Sequence, residues 1–361
     1  MAGGSDVEIG HYQPEDEQLV NDLHNSVFNT SRPLEAWRWK YLLNPATLTG
    51  PTCIVLGRSQ GRIVSQYASV ARDLLINGKT SPITEVTDNL IDPDFRSGRQ
   101  LQRGMFDYFS AKLIEAGAHF SIGCPNDVAY RVGKRLLQYR DLFEMPWLFH
   151  RLGPRLALRS RLPAAWGTLA DRVGRTASAW SRWSLRARGA CRVREVEAPD
   201  ARFDALWRAA AGRFAVIGVR DRAYLHWRYR ERPGTRFYLL SAGDDALLTA
   251  WVVVSVATKA DGSRAGYIVD FFYRDETAMR KLLLGALHYL AELDADYVLS
   301  VAAPGSEGER LLRSVGFAAR PTLGPVRLVY RWWTLQDEVM RAAVLDPSGW
   351  HLCMGDLDLE G

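Results

Sequence analysis

A seven-residue pattern occurs twice in this chain. Trp39-Lys-Tyr-Leu-Leu-Asn-Pro45 returns as Trp227-Arg-Tyr-Arg-Glu-Arg-Pro233: tryptophan, a basic residue, tyrosine, three variable positions and proline. Each copy precedes an apolar run, Cys53–Leu56 in one case and Phe237–Leu240 in the other. A second echo follows in the same order. Phe120-Ser-Ile-Gly-Cys-Pro-Asn126 leads into Arg131–Gln138, and Leu299-Ser-Val-Ala-Ala-Pro-Gly305 leads into Arg310–Phe317. Two echoes in one order point to a duplicated unit of roughly 150 residues, about the size of one domain.

The length agrees, since 361 residues are too many for a single core and natural for two. The four cysteines (Cys53, Cys124, Cys191, Cys353) form no C-x-x-C pair and have no histidine at ligand spacing. A zinc site and a disulfide framework are therefore not expected, and a reducing compartment is. The first residues lack the basic and apolar regions of a signal peptide, and no apolar run approaches 18 residues. A cytoplasmic protein is expected.

Coarse patterning over the first copy gives a strand at Asp6–Tyr12 and an amphipathic helix at Glu15–Phe28. A helix at Pro33–Leu42 carries the Trp pattern. Strands follow at Thr52–Arg58, Arg62–Leu74 and Ile83–Ile91, with Ser59-Gln-Gly61 as the first hairpin turn. A helix at Gln100–Ala116, a strand at Phe120–Gly123 and a helix running to Leu137 complete the copy.

This order resembles the GNAT acyltransferase superfamily, as does Leu90-Ile-Asp-Pro-Asp-Phe-Arg-Ser-Gly-Arg99, which is similar to that family's strand, "V-x-P-x-Y-R-G" and pyrophosphate loop. In the second copy Gly266–Arg274, Thr277–Leu293 and Tyr297–Ala302 fit the same order, and Arg310–Phe317 is similar to the family's ending "L-Y-E-K-x-G-F". Together with Tyr224–Tyr229 and Trp350-His351, the pattern is similar to double-GNAT proteins associated with bacterial surface-polysaccharide gene clusters. The resemblance implies an α/β (α+β) chain of two tandem GNAT-like domains. Each would have a mixed, mostly antiparallel twisted sheet flanked by helices. The boundaries expected are 1–149, an Arg/Trp-rich connector at 150–194, and 195–361. It also implies acyl transfer from acetyl-CoA, or another acyl-CoA, to a small-molecule amine, with no metal.

A helix N-terminus presents free N–H groups and partial positive charge to a pyrophosphate, and glycine lets the backbone approach. The resemblance assigns CoA contacts to Leu90, Ile91, Arg96, Ser97, Gly98, Arg99, Gln100, Leu101 and Asn126. Arg99 and Leu101 stand where the family has small residues, Gly98 lies one place early, and Arg96 and Arg99 supply charge. The second copy offers Phe272-Tyr-Arg-Asp-Glu-Thr277, without glycine and with two acids. One CoA site, in the first copy, is expected.

Transfer to an amine also needs a base and an acid. Glu85 and Asp88 lie on the central strand, expected on opposite faces because side chains alternate. Glu85 is either a base acting through water or a strand-edge partner in a salt bridge. The family's thiolate-protonating tyrosine falls at Gly133, and Tyr130, one helical turn earlier, stands in as the acid or simply packs. Asn126 suits a helix cap as well as a CoA contact. Cys124 reads as a core thiol, His226 as structural, and Asp356 and Asp358 as solvated tail residues. The alternative to an enzyme is a catalytically inactive scaffold that docks on a membrane or a partner enzyme.

Residues 151–194 hold eleven arginines, no lysine and one acid, Asp171, so this segment carries +10 while the whole chain carries +5. Trp166, Trp180 and Trp183 and six leucines are interleaved with them. That composition suits a solvated linker whose tryptophans pack on the domains, a contact to an anionic membrane face or partner protein, or, least, to nucleic acid. Docking on lipid is expected to give binding to phosphatidylserine vesicles that weakens steeply with salt, about 1 kcal/mol being contributed by each surface arginine. Replacing the arginines while keeping the tryptophans should abolish it. Absence of vesicle binding at physiological salt would leave an ordinary linker.

Overall fold

The computed structural model describes residues 7–48, 50–96, 99–153, 185, 187–243 and 247–358. Trp166, Trp180 and Trp183, and also Ser97 and Gly98, lie outside the described residues. The chain forms two compact units.

The first unit opens with β1 (Glu8–His11), α1 (Glu17–Phe28) and α2 (Leu34–Tyr41). A meander of β2 (Cys53–Ser59), β3 (Arg62–Ile76) and β4 (Lys79–Ile91) follows. Then come α3 (Arg99–Glu115), β5 (Phe120–Gly123), α4 (Asp127–Leu136) and β6 (Arg140–Pro146). Two-residue turns at Gln60-Gly61 and Asn77-Gly78 close the hairpins, all four residues having positive φ, as such turns require. The sheet is antiparallel from β1 to β4, and β4 and β5 are parallel.

Apolar residues cover both faces of this sheet. On one, Val20 and Leu23 of α1 and Trp37 and Tyr41 of α2 pack on Ile54, Leu56, Ala68 and Val70. On the other, Met105, Phe106, Phe109 and Leu113 of α3 pack on Val55 and Tyr67. Such continuous burial on both faces explains why β2 and β3 read as apolar runs rather than as alternating strands.

The second unit repeats the order. It uses β7 (Leu148–Arg151), β8 (Arg194–Glu195), α5 (Ala201–Ala210), β9 (Val216–Gly218) and α6 (Arg222–Tyr229). Its meander is β10 (Phe237–Gly243), β11 (Leu248–Thr258) and β12 (Arg264–Tyr273). The next elements are α7 (Glu276–Glu292), β13 (Tyr297–Ser300), α8 (Glu307–Ser314) and β14 (Ala318–Ala319). The chain then runs through β15 (Pro325–Trp332) and α9 (Glu338–Leu345), which belong to the first unit, and returns to the second with β16 (Trp350–His351), which pairs with β9. Strands β10 to β12 are antiparallel and β12 and β13 parallel, as in β2 to β5. Helix α7 buries Leu282, Leu283, Leu284, Leu287 and Leu290 completely. Trp39 and Trp227 occupy equivalent helices, α2 and α6, each directly before its meander.

The units depart from the contiguous boundaries 1–149, 150–194 and 195–361. The first unit is Met1–Phe143 with Glu231–Gly234 and Arg327–Leu345. The second is Glu144–Arg230, Thr235–Val326 and Asp346–Gly361. The cause is an exchange of strands. Strand β15 follows the second copy in the chain, yet it lies between β5 and β6 in the sheet of the first unit. Strand β7 follows the first copy, yet it lies between β13 and β14 in the sheet of the second. Each parallel strand, β5 or β13, thereby gains an antiparallel neighbour. The described end of the basic segment also belongs to the second unit: Leu185 is buried, Cys191 N–H donates to Lys281 O, and Arg194 pairs with Ser241.

Trp333, one residue past β15, anchors the exchanged strand. Its indole Nε1 donates to Ser121 Oγ at 2.6 Å, and its ring lies 6.0 Å from that of Phe106 and 6.1 Å from that of Phe109. Trp333→Ala is expected to cost roughly 3–5 kcal/mol. Urea denaturation should show the loss, and hydrogen exchange should place it in β5 and α3 although the substitution lies beyond residue 330.

Candidate functional site

The parallel pairing of β4 with β5 covers only Thr84↔Ser121 and Glu85↔Ile122. Beyond Glu85 the strands part, and the β5-facing peptide groups of Val86–Ile91 have no ladder partner in β5. The parting coincides with a bulge, where Asp88 and Asn89 together oppose Tyr67. Asp88 has φ +49°, left-handed backbone that aspartate tolerates better than most residues, and its carbonyl accepts from Gln66 Nε2 at 2.8 Å.

The bulge aims the Asp88 side chain at α1 and α2. Its carboxylate accepts from Arg32 Nη1 at 2.7 Å, Lys40 Nζ at 3.0 Å and Tyr41 Oη at 2.9 Å, with His24 Nε2 at 3.8 Å. Sequence places these groups simply. Lys40 and Tyr41 are the Lys-Tyr of the Trp pattern. Arg32 sits in the α1–α2 loop, which Asn25 pins by accepting from Arg32 N–H at 2.8 Å while Asn21 and Asn25 donate to Arg32 O. Burial alone raises the Asp88 carboxyl, but the cations Lys40 and Arg32 outweigh it and hold it well below the usual carboxylate range. Burial pushes the His24 ring the other way, below its ordinary value, so it is neutral at pH 7.

The second unit carries the same constellation. Arg220 Nε donates to Asp270 Oδ1 at 3.0 Å and Tyr229 Oη to Asp270 Oδ2 at 2.8 Å. Asp270 borders the bulge of β12. Arg32 and Arg220 both precede their tyrosine by nine residues, so the echo is longer than the Trp pattern alone. Sequence reasoning missed both arginines, although an arginine seven residues before each tryptophan was there to be found.

Here the segment Cys353–Leu357 completes the network. Asp356 accepts from Arg220 Nη2, Gly355 O accepts from Tyr224 Oη and Arg228 Nε, and Leu357 O accepts from Arg228 Nη2. A Cβ at Gly355 would meet Tyr229 Oη at 2.0 Å, so only glycine fits. Asp356 is thus an ion-pair partner rather than the solvated tail residue the sequence suggested. Asp270, His351 and Cys353 bring three ligand-type atoms within 4.8 Å of one another. Both Asp270 oxygens already accept from Arg220, Tyr229 and Phe271 N–H, and His351 Nε2 lies 2.7 Å from Phe271 O. The group reads as a hydrogen-bonded core rather than a cation site.

The sequence-derived site residues fall into three sets. Glu85 and Asp88 share one face instead of opposing each other, because the bulge breaks the alternation between them. Neither stands ready as a general base: Glu85 is 1% exposed and paired with Arg72, and Asp88 already accepts from three donors. The Tyr130 hydroxyl donates to Asp141 at 2.9 Å, which raises it and keeps its proton in place. Asn126 caps α4, accepting from Ala129 N–H at 2.9 Å. The Leu90 side chain is core on the α1–α2 face and Leu101 packs against the core on the opposite, α3 face, so neither side chain is free for a ligand. Arg96 is exposed with Nε donating to Ile91 O at 2.9 Å, Gln100 is exposed, and α3 starts at Arg99.

Asp88→Asn is expected to destabilise the protein by about 3–5 kcal/mol at neutral pH, because buried cations lose their counter-charge. A depressed carboxyl stabilises above its unfolded value, near 4, and loses that contribution only as pH falls below it. The gap between wild type and variant in urea denaturation should stay constant from pH 7 to about 4 and close below.

Residues 8–133, the bulk of the first unit, match the family described as the acetyltransferase (GNAT) domain. No protein with a curated description matches the chain at the sequence level. Among solved structures, a probable N-acyltransferase from Enterococcus faecalis V583 is similar with a TM-score of 0.63 at 12% identity, over 91% of this chain and 73% of that one. Yeast (Saccharomyces cerevisiae) N-myristoyltransferase with bound myristoyl-CoA gives 0.60 at 10% identity, over 98% and 90%. A GCN5-related N-acetyltransferase from Anabaena variabilis ATCC 29413 gives 0.64 at 13%, over 91% and 73%. Residues 8–133 thus match a GNAT-domain model, and the chain shares the fold of these N-acyltransferases along nearly its whole length.

Proposed function

We propose that the first unit is an acyl-CoA-dependent N-acyltransferase and that the second is a copy without a CoA site. The observation that carries this reading is the parting of β4 from β5 beside a basic helix start. Strand groups at Val86–Leu90 that lack a ladder partner in β5 suit the amides of a pantetheine arm, and the start of α3 suits a pyrophosphate, with Arg96, Arg99 and Arg103 in or just before its first turns. Helix α7 differs. Asp275 caps it by accepting from Ala278 N–H at 2.6 Å, and Glu276 follows, so its free N–H groups face carboxylates of the chain itself.

In the reaction the acceptor nitrogen attacks the thioester carbonyl, the C–S bond breaks, the amine proton passes to a base and the CoA thiolate takes a proton. Tyr130 holds a proton for the thiolate, released from Asp141. With Glu85 and Asp88 engaged, the neutral His24 ring is the remaining base on that face. The acyl group is acetyl in this reading, with myristoyl, as bound by the yeast relative, the long-chain comparison. The resemblance to polysaccharide-cluster proteins makes an amino sugar a first acceptor to try. Engagement of both carboxylates favours a second reading, an inactive scaffold.

Calorimetry with acetyl-CoA, myristoyl-CoA and CoA decides between them. One site per chain is expected. Arg96→Ala and Arg99→Glu should each weaken it by about 1–3 kcal/mol, the range of charge-assisted hydrogen bonds, while Asp275→Ala in the second unit should change nothing. Failure of all three ligands to bind would leave the scaffold.

A further inference from the structure

The two copies of the Arg–Tyr–Asp constellation differ in one respect. In the second unit Arg220 is fully spoken for, with Nε on Asp270, Nη1 on Gly218 O at 2.9 Å and Nη2 on Asp356. In the first unit Arg32 uses Nη1 on Asp88 and Nε on Asn21 Oδ1 at 2.9 Å, and its Nη2, although buried, has no hydrogen-bond partner among the described residues. Two further buried atoms beside Asp88 share that condition, His24 Nδ1 and Gln66 Oε1. Both belong to side chains that touch Asp88, His24 through Nε2 at the carboxylate and Gln66 through Nε2 at the main-chain carbonyl, and His24 is 7% and Gln66 1% exposed.

Three orphaned polar atoms on side chains that contact one residue are unusual, since buried donors and acceptors are nearly always satisfied and each orphan is costly. Their chemistry is complementary: Arg32 Nη2 is a cationic donor, Gln66 Oε1 an acceptor, and the neutral His24 Nδ1 an acceptor when Nε2 carries the proton toward Asp88. The second unit shows what satisfies such an arginine, because there the chain supplies a carboxylate, Asp356. The edge of the cluster reaches solvent, the Arg32 side chain being 12% and that of Asp88 10% exposed.

We infer that the first unit binds a carboxylate-bearing amine, of which an amino acid is the simplest form. The carboxylate meets Arg32 Nη2 as Asp356 meets Arg220, and the amine meets Gln66 Oε1 and His24 Nδ1. The site lies at the bulge where β4 leaves β5, so its amine comes beside the proposed thioester. This rests on the acyltransferase reading only for the identification of the ligand as acceptor; the binding site stands without it.

The test uses the full-length protein and calorimetry without any acyl-CoA. The probes are a panel of amino acids, each with the amine that lacks its carboxylate, and glucosamine as a neutral amino sugar. At least one amino acid should bind at least tenfold tighter than its decarboxylated partner and than glucosamine. Arg32→Lys, which keeps the charge beside Asp88 but not the second donor, should erase most of that preference while thermal unfolding shows the fold retained. Gln66→Leu should weaken the amino acid and the amine alike. Equal binding of amino acid and amine, or binding of none of the panel, overturns the inference. If an amino acid binds yet acetyl-CoA does not, the site stands and the acyltransferase reading falls.

Discussion

A carboxylate buried at a bulge is what each unit is arranged around. Asp88 and Asp270 sit where a central strand departs from its parallel neighbour, a place where the sheet cannot satisfy its own peptide groups. An ion in that position is tolerable only when donors surround it, and the donors come from the helix pair on one face. Arginine from the preceding loop and tyrosine from the Trp-bearing helix supply them in both copies. The bond that neutralises the strand thereby fixes the helices, which gives a physical reason for the same aromatic-basic pattern on α2 and α6.

Shared architecture did not keep shared chemistry. The helix after the central strand begins among arginines in one copy and among an aspartate cap and a glutamate in the other. In the acyltransferase reading, reversing the charge at one helix start turns an anion site into a closed end with no change in fold. The second copy also threads Gly355 and Asp356 over its bulge, where Asp356 meets the arginine that corresponds to Arg32.

Much of this was legible in the residues. Local rules suffice for the first hairpin turn, for α1 with its apolar stripe, and for the order that makes the copies alike. Three things were not legible. Four-residue β7 and two-residue β14 carry no signal of the sheet they join, because strand partners are chosen by tertiary fit. The relation of Glu85 to Asp88 follows from alternation only while the strand is regular, and one extra residue at the bulge reversed it. Asp356 read as a tail acid because its partner, Arg220, lies more than a hundred residues away. The arginine network lay just outside the window in which the echo was noticed.

The exchange of β7 and β15 has a consequence for how the protein comes into being. The first unit cannot close its sheet until a strand some two hundred residues downstream of β5 has emerged, since β15 begins at Pro325. During synthesis β5 therefore waits with one edge unpaired while the whole second copy is made. Long-range pairing of this kind is slow, and an open edge in the interval invites pairing with the wrong chain. The duplicated halves, so nearly complete as separate designs, mature together or not at all.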